Sequence, residues 1–210
     1  MIIHVEAITA TPDELLSQLE QKAWYSPTLA KMREQRQREW LTVRVLLRKI
    51  LGEEKQILYT DSGKPYLADS SYYISISHTK GYVAIALDEN DTVAVDIEQI
   101  SPQVENVRSR FMNETEERNI SQNHPLTHWL LHWSAKETLF KYLNDSDIEF
   151  KSQLHIHPFE PIFGEWGEFT AHETRTTRQQ SFLIRYIVKE EYVLTVAYHF
   201  TRHANFNPIT

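Results

Sequence analysis

The sequence predicts an α+β fold made of two pseudo-duplicated α/β halves. Each half contains a long predicted helix that precedes β-rich runs, and segments 80–87 and 190–197 are alike in residue type. A chain of 210 residues suits one large domain or two small ones that share a core. We therefore expect each half to form a small, mostly antiparallel sheet packed on its long helix, with the active site in the cleft between the halves.

The N-terminal half begins with a short strand, residues 2–8, which is followed by two helices. A capping residue and Pro12 at the first helical position predict a helix over residues 12–23. A second helix is predicted over residues 31–51, because apolar side chains recur there every three or four positions. Gly52 then supplies a stop signal.

A turn at residues 61–65 leads into three β-rich runs, residues 72–77, 82–87 and 93–97. The acidic and amide residues 88–91 between the last two runs are typical of a turn. We therefore predict that these two runs form a hairpin.

The C-terminal half contains a predicted helix over residues 126–143 and two strands, residues 182–188 and 192–200. A Ser-Pro pair after the third β-rich run breaks the β pattern. We place the boundary between the halves there, so that they comprise residues 1–101 and 102–210.

Composition excludes several classes of protein. The chain has no cysteine, so disulfides and thiolate metal sites are excluded and any metal must bind carboxylates or histidines. A net charge of −7 argues against general nucleic-acid binding. No run approaches the roughly 20 apolar residues that cross a bilayer, and the N-terminus does not resemble a signal peptide. We predict a cytoplasmic protein that binds neither nucleic acid nor membrane.

The charge is unevenly distributed along the chain. Residues 31–49 carry seven basic side chains against two glutamates, which leaves this stretch near +5 and the remainder near −12. The pattern fits a site for a compact anion, a contact for an acidic partner, or a solvated helix face. The basic residues are Lys31, Arg33, Arg36, Arg38, Arg44, Arg48 and Lys49.

Asp96 and Glu98 form the first candidate for chemistry. Side chains alternate along a strand, so both carboxylates point to the same face while Val95 and Ile97 point to the core. Paired carboxylates repel unless a cation lies between them, and their hard oxygens suit Mg²⁺. The alternative is an exposed strand face with two solvated acids.

The second candidate lies on the helix over residues 126–143. Trp133, Glu137 and Lys141 are four residues apart and form one stripe of this helix. A surface ion pair between Glu137 and Lys141 is the simple explanation. Because aromatic residues surround the pair, we favour half-buried charges, which a metal–phosphate site would partner.

Two further segments are weaker candidates. Ser77 and His78 end a predicted strand, where a hydroxyl and an imidazole could grip a phosphate or could simply cap a turn. Ser77 has no G-x-S-x-G context that would indicate a nucleophile. Lys64 lies between a glycine and a proline, which gives it a defined position on a turn.

Taken in order, these motifs resemble the Sfp-type 4'-phosphopantetheinyl transferase family. The family signature comprises a GKP turn, an ISHS-like strand end, a VDIE-like strand and a W-x-x-K-E-x-x-x-K helix. The resemblance covers roughly residues 36 to 141. The matching segments are residues 63–65, 76–79, 95–98, 110–116 and 133–141.

The resemblance implies an activity and a metal site. The family moves the phosphopantetheine arm of coenzyme A to a serine of a carrier protein and releases adenosine 3',5'-bisphosphate. Asp96, Glu98 and Glu137 are the implied ligands of Mg²⁺, or of Mn²⁺, with Glu98 binding directly or through water. Glu137 is the implied base for the carrier serine, and Lys141 the group that stabilises the leaving phosphate.

The resemblance also implies contacts with coenzyme A. Lys64, Ser77 and His78 are expected at the nucleotide end, Arg38 at the 3'-phosphate, and Lys136 and Lys141 near the pyrophosphate. The expected partner is an apo acyl carrier or peptidyl carrier protein. Because such carriers are acidic, Arg44 and Arg48 are a candidate landing surface. We expect a monomer.

Two other functions were considered. A different magnesium phosphotransferase or nucleotide hydrolase lacks support, because the chain has no G-x-x-x-x-G-K-[ST] loop and only five glycines. A catalytically silent module that binds coenzyme A or a carrier protein would not need both charged pairs, Asp96 with Glu98 and Glu137 with Lys141.

Overall fold

The computed structural model describes residues 1–199 and divides into two compact units between Asp91 and Thr92. Helices and antiparallel sheets make up both units, as the predicted α+β class requires. The division places the strand that carries Asp96 in the second unit, whereas the sequence placed it in the first half. Residues 200–210 of the predicted C-terminal half lie outside the described residues.

Within the described residues, the first unit contains five strands and three helices. The strands are β1 (Ile2–Ala7), β2 (Ile57–Tyr59), β3 (Pro65–Leu67), β4 (Tyr73–Thr79) and β5 (Tyr82–Asp88). The helices are α1 (Pro12–Ser17), α2 (Lys22–Leu29) and α3 (Glu34–Leu51).

The main sheet of the first unit has the order β1-β5-β4, and every pair is antiparallel. The central strand β5 reads as a continuous apolar run because it is buried between two neighbouring strands and under α3. Val43 and Leu47 of α3 pack with Ile85 and Leu87 of β5 in one core. The short strands β2 and β3 form a separate hairpin around the predicted turn at residues 61–65.

The helix predicted over residues 12–23 is wrong in its length. It ends at Ser17, and α2 begins at Lys22. The Glu54 carboxylate accepts hydrogen bonds from the backbone N–H groups of Glu20 and Gln21 at the start of α2. A side chain more than 30 positions away therefore satisfies donors that local sequence leaves unpaired.

The long helix α3 ends as predicted. Gly52 adopts the left-handed conformation (φ 75°) that closes a helix without steric cost, and its N–H donates to the carbonyl of Arg48. The helix begins at Glu34, three residues after the predicted start.

Up to residue 199, the second unit contains five strands, four α-helices and a short 3₁₀ turn at Arg108–Arg110. The strands are β6 (Ala94–Gln99), β7 (Leu154–Ile156), β8 (Gly167–Glu173), β9 (Ser181–Val188) and β10 (Tyr192–His199). The helices are α4 (Gln103–Val107), α5 (Glu114–Arg118), α6 (Pro125–Leu143) and α7 (Phe150–Gln153).

The sheet of the second unit has the order β6-β10-β9-β8-β7. The predicted hairpin between β5 and β6 is wrong, because β1 and β4 already occupy both edges of β5. Strand β6 pairs instead with β10, which places Thr195 directly opposite Asp96. The long helix α6 packs on β6 and β10, and its apolar side chains join a core with Phe111 and Phe182.

Within residues 1–199, none of the helices combines the length and the apolar character needed to cross a membrane.

Arg44 lies in the interior of the first unit. The residue is 4% exposed, and its guanidinium lies 3.4 Å from the centre of the Trp40 ring. It donates hydrogen bonds to the Trp40 carbonyl (3.0 Å) and the Tyr59 hydroxyl (3.3 Å). Stacking and hydrogen bonds together compensate for removing this cation from water.

We predict that Arg44→Glu destabilises the protein by about 3 kcal/mol or more. The change buries a carboxylate against the Trp40 ring and removes the donor that Arg44 supplies to the Trp40 carbonyl and the Tyr59 hydroxyl. Urea unfolding followed by circular dichroism measures the change. Lys31→Glu, an exposed charge reversal just before α3, serves as the control and should stay within about 0.5 kcal/mol of the parent. Equal stability of the two variants would contradict the structural role of Arg44.

Candidate active site

Asp96 is the central acidic residue of the second unit. It is 3% exposed on β6, beneath helix α6. Its Oδ2 accepts a hydrogen bond from Ser134 Oγ (2.8 Å), and its Oδ1 accepts one from the Lys141 ammonium (2.7 Å). Lys141 also donates to the carbonyl of Val95 (3.2 Å). Two contacts from one helix therefore hold both carboxylate oxygens.

A row of hydroxyl groups supports this arrangement. Thr195 Oγ1 lies 2.8 Å from Ser134 Oγ and 2.7 Å from Thr138 Oγ1. All three residues are fully buried, so each hydroxyl needs the others as partners. Sequence reasoning missed these residues, because only the pairing of β6 with β10 brings Thr195 beside Asp96.

Glu98 lies two residues further along β6 and is held by Trp133. The indole Nε1–H donates to Glu98 Oε1 at 2.8 Å. Burial and then the charge of Asp96 raise the pKa of Glu98 to about 7, although the indole hydrogen bond works in the opposite direction. Trp133, one of the three residues of the predicted stripe on α6, is therefore joined to the carboxylate strand β6 by a hydrogen bond.

Glu137 completes the acidic group. Burial, and then the negative charge of Asp96, raise its pKa to about 7, while Lys141 counteracts the shift. The negative charge of Glu137 also contributes to the raised pKa of Glu98. Asp96, Glu98, Glu137 and Lys141 thus influence one another electrostatically; that they form a metal site stays a prediction.

Lys136 does not join this group, although the sequence placed it near the pyrophosphate. Its side chain is 0% exposed, and its ammonium donates to Phe111 O (2.6 Å), Glu116 Oε2 (2.8 Å) and Phe150 O (3.1 Å). An ammonium has three N–H groups, and all of them are engaged. The predicted contact of Lys136 with coenzyme A is therefore a mistaken assignment in this structure.

The remaining predicted residues lie in the first unit. Lys64 is half-buried on its turn, where burial lowers the pKa of its ammonium. Among residues 1–199, no carboxylate forms an ion pair with it. Ser77 is buried near the end of β4, whereas the following His78 is exposed. The turn and the strand end thus exist where the motifs predicted them.

His78 belongs to a small charged cluster that the sequence did not identify as such. Its Nε2 lies 2.6 Å from Arg36 Nη1, and Arg36 also pairs with Glu39 (3.0 Å). The charge of residues 31–49 can be summed from the sequence, but the sum does not reveal contacts such as that between Arg36 and His78.

Arg38 binds backbone within the first unit. Its guanidinium donates to the carbonyls of Ala10 (3.0 Å) and Ile8 (3.1 Å), so it joins the start of α3 to the end of β1. Those two bonds use two of the five N–H groups of a guanidinium.

The basic stretch is partly buried or paired. Arg48 pairs with Glu20, Lys49 pairs with Glu6, and Arg44 is buried. The predicted landing surface is therefore wrong for Arg44, which is inaccessible, whereas a role for the partly exposed Arg48 stays a prediction.

Residues 92–197 match the family model described as the 4'-phosphopantetheinyl transferase superfamily. The chain belongs to this superfamily. Two curated relatives are the 4'-phosphopantetheinyl transferases AcpT of Salmonella typhi and of Salmonella typhimurium strain LT2. Each is 34% identical to this chain over 68 residues, which is 32% of this chain and 35% of the relative. The similarity thus spans about a third of the length of these relatives.

For this phosphopantetheinyl transferase superfamily member, the matched segment contains the whole acidic group. Asp96, Glu98, Glu137 and Lys141 all lie between residues 92 and 197. The predicted coenzyme A contacts of the first unit precede the matched segment.

The acidic group fits a magnesium ion by its chemistry. Within the described chain, no three His, Cys, Asp or Glu side chains are close enough to enclose a metal ion. Mg²⁺ does not need such a cage, since it typically takes one or two carboxylates together with waters and substrate phosphates. Carboxylates whose pKa is raised by burial and mutual repulsion would gain from a divalent cation beside them.

We predict that Glu137→Gln stabilises the metal-free protein at alkaline pH. The pKa of Glu137 is about 7 when folded, against an ordinary value of 4.5, so ionisation disfavours the folded state increasingly from about pH 4.5 to above pH 7. In EDTA at pH 8, the free energy of unfolding should rise by about 1–3 kcal/mol. At pH 4.5 the difference should vanish.

Urea titrations at both pH values measure this effect. Glu165→Gln, at an exposed position of the same unit, controls for the loss of one negative charge. If Glu137→Gln is no more stable than the parent protein at pH 8, the ionised Glu137 carboxylate does not destabilise this fold.

Proposed function

We propose that this protein transfers the 4'-phosphopantetheine moiety of coenzyme A to a serine of an apo acyl carrier or peptidyl carrier protein, releasing adenosine 3',5'-bisphosphate. One observation carries the proposal: three partly or fully buried carboxylates and a lysine form one electrostatic group within the family-matched segment. Partly buried charged groups lower folding stability, and they are often retained where they take part in a reaction. This supports an active enzyme rather than a silent binding module.

In this proposal Asp96 and Glu137 would bind Mg²⁺, or Mn²⁺, and Glu98 would reach the ion through a water. The ion supplies charge neutralisation on the diphosphate of coenzyme A. Asp96 would be the best-oriented ligand, because Ser134 and Lys141 already hold its two oxygens. Trp133 orients Glu98 by its indole hydrogen bond.

Glu137 would accept the proton of the incoming serine hydroxyl, directly or through water. Beside the cation its carboxylate would be ionised, as a base requires. The serine oxygen forms a bond to the β-phosphorus, and the bond from that phosphorus to the oxygen of the leaving adenosine bisphosphate breaks. Lys141 would donate to the leaving phosphate, where negative charge develops.

We propose Lys64, Ser77, His78 and Arg38 as coenzyme A contacts of the first unit. The half-buried Lys64 ammonium without a carboxylate partner is suited to a phosphate. Arg36 beside His78 adds a second cation to that strand end. The three N–H groups that Arg38 does not spend on backbone carbonyls would suit the 3'-phosphate.

The pseudo-duplication predicted from sequence also remains our proposal, and two features support it. The sheet order β1-β5-β4 of the first unit corresponds to β6-β10-β9 of the second. In each unit a long helix, α3 or α6, precedes two further strands and then an antiparallel strand pair, β4–β5 or β9–β10. A cytoplasmic location and a monomeric state stay predictions.

The proposal predicts that apo carrier proteins gain the mass of phosphopantetheine when incubated with the protein, coenzyme A and Mg²⁺. Intact-mass measurement over a panel of fatty-acid, polyketide and nonribosomal-peptide carriers identifies both activity and substrate. EDTA should abolish the gain, and added Mg²⁺ should restore it. If no carrier gains this mass although the protein is folded, the proposed transferase activity is wrong.

We predict that Glu137→Gln lowers turnover by about 100-fold or more, because it retains the side-chain shape but cannot accept the proton. Lys141→Met should lower turnover as well, since the leaving phosphate and Asp96 both lose a cation. Steady-state rates with a responsive carrier measure both effects, with Glu165→Gln as a control that should remain active. Near-normal turnover of Glu137→Gln would show that another group takes the proton.

A further inference from the structure

The buried Lys136 lies next to the proposed base and makes three internal hydrogen bonds. Its acceptors are the carbonyls of Phe111 and Phe150 and the Glu116 carboxylate. Both charged side chains are almost inaccessible to water, at 0% for Lys136 and 2% for Glu116. A buried ion pair gives little net stability, so its presence calls for another explanation.

Glu116 extends the connection to two other elements. Its Oε2 also accepts from the backbone N–H of Asn113 (3.0 Å), and its Oε1 accepts from the N–H of Ile156 (2.9 Å). Lys136 therefore joins α6 to the start of α5, to the end of β7 and to the first residue of α7. We call Lys136 with its three acceptors, Glu116, Phe111 and Phe150, the lysine clamp.

The clamp holds α6 from the side opposite to the sheet contacts. Residues advance by about 100° around a helix, so Lys136 lies about 160° from both Ser134 and Thr138. Those two residues bind the β6–β10 pair through Asp96 and Thr195. With the helix gripped on two opposite sides, its rotation about its axis is determined. Glu137 lies on the face between the two grips.

The clamp also reaches Glu98 through aromatic packing. The rings of Phe111 and Phe150, whose carbonyls accept from Lys136, lie 5.2 and 5.7 Å from the Trp133 ring. Trp133 in turn donates to Glu98 at 2.8 Å. The Lys136 ammonium thus fixes the backbone of Phe111 and Phe150, whose rings contact the Trp133 indole.

We propose that Lys136 is a positioning residue, which acts through the lysine clamp to aim Glu137 and the Trp133–Glu98 pair at the reacting groups. The kinetic part of this inference rests on the proposed transferase function. The structural part does not, because the Trp133–Glu98 hydrogen bond exists without turnover.

The test compares Lys136→Met with the double variant Lys136→Met/Glu116→Met. The single variant leaves Glu116 buried without its cation and should be less stable. Replacing both partners by apolar side chains removes that penalty, so the double variant should recover much of the lost thermal stability. It still leaves the Phe111 and Phe150 carbonyls without their donor.

Two readouts separate positioning from stability. The indole ¹⁵N–¹H resonance of Trp133, assigned by its loss in Trp133→Phe, reports the bond to Glu98 without any catalysis. We expect it to shift in both Lys136 variants. We also expect kcat of the folded double variant to fall about 100-fold, while KM for coenzyme A changes less than about threefold, since small misplacement of a reacting group costs about that much.

Lys151→Met is the matched control. Lys151 lies on α7, is exposed and donates to the Ser109 carbonyl (3.3 Å), so its loss removes one cation and one surface hydrogen bond from the same neighbourhood but none of the bonds of the clamp. It should keep the parent resonance and the parent kcat. A stable double variant with the parent indole resonance and parent kcat would overturn the inference. An inactive parent protein would refute the proposed function alone, because the indole resonance would still test the clamp.

Discussion

The repulsion among three buried or half-buried carboxylates is the constraint on which the second unit depends. Asp96 and Glu98 come from one strand and Glu137 from helix α6; burial and then the charge of Asp96 raise the pKa of both glutamates, so their ionised forms are costly in the folded protein. Such a group persists only if the surrounding structure holds it. The helix that carries Glu137 also carries the groups that compensate, since Ser134 and Lys141 bind Asp96 and Trp133 binds Glu98.

This arrangement makes the placement of α6 the decisive feature of the unit. Its polar contacts with the sheet include those to Asp96 and Thr195, which face each other across the β6–β10 ladder, and the bond from Trp133 to Glu98. On its other side the Lys136–Glu116 pair ties it to α5 and β7. A helix held by apolar packing alone could rotate slightly at little cost, whereas directional hydrogen bonds on two sides oppose that rotation.

Some of this architecture could be predicted from local sequence. Period-four spacing placed Trp133, Glu137 and Lys141 on one helix face, and strand alternation placed Asp96 and Glu98 together. Gly52 ended α3 as predicted, because its left-handed conformation is a local property. The length of the first predicted helix was wrong; a distant carboxylate, Glu54, binds the backbone N–H groups of Glu20 and Gln21 just before α2. The predicted hairpin between β5 and β6 was wrong because turn composition does not reveal which edges of a strand are already paired.

The sequence by itself determined the identity and the local spacing of the acidic and basic residues, because helix and strand periodicity depend only on neighbours along the chain. Tertiary structure alone decided their partners. It set Thr195 against Asp96, buried Arg44 over Trp40, and turned Lys136 from an expected phosphate ligand into an internal clamp. The physical reason is burial: whether a lysine meets solvent, a ligand or a buried carboxylate depends on packing between elements far apart in sequence, which no local pattern encodes.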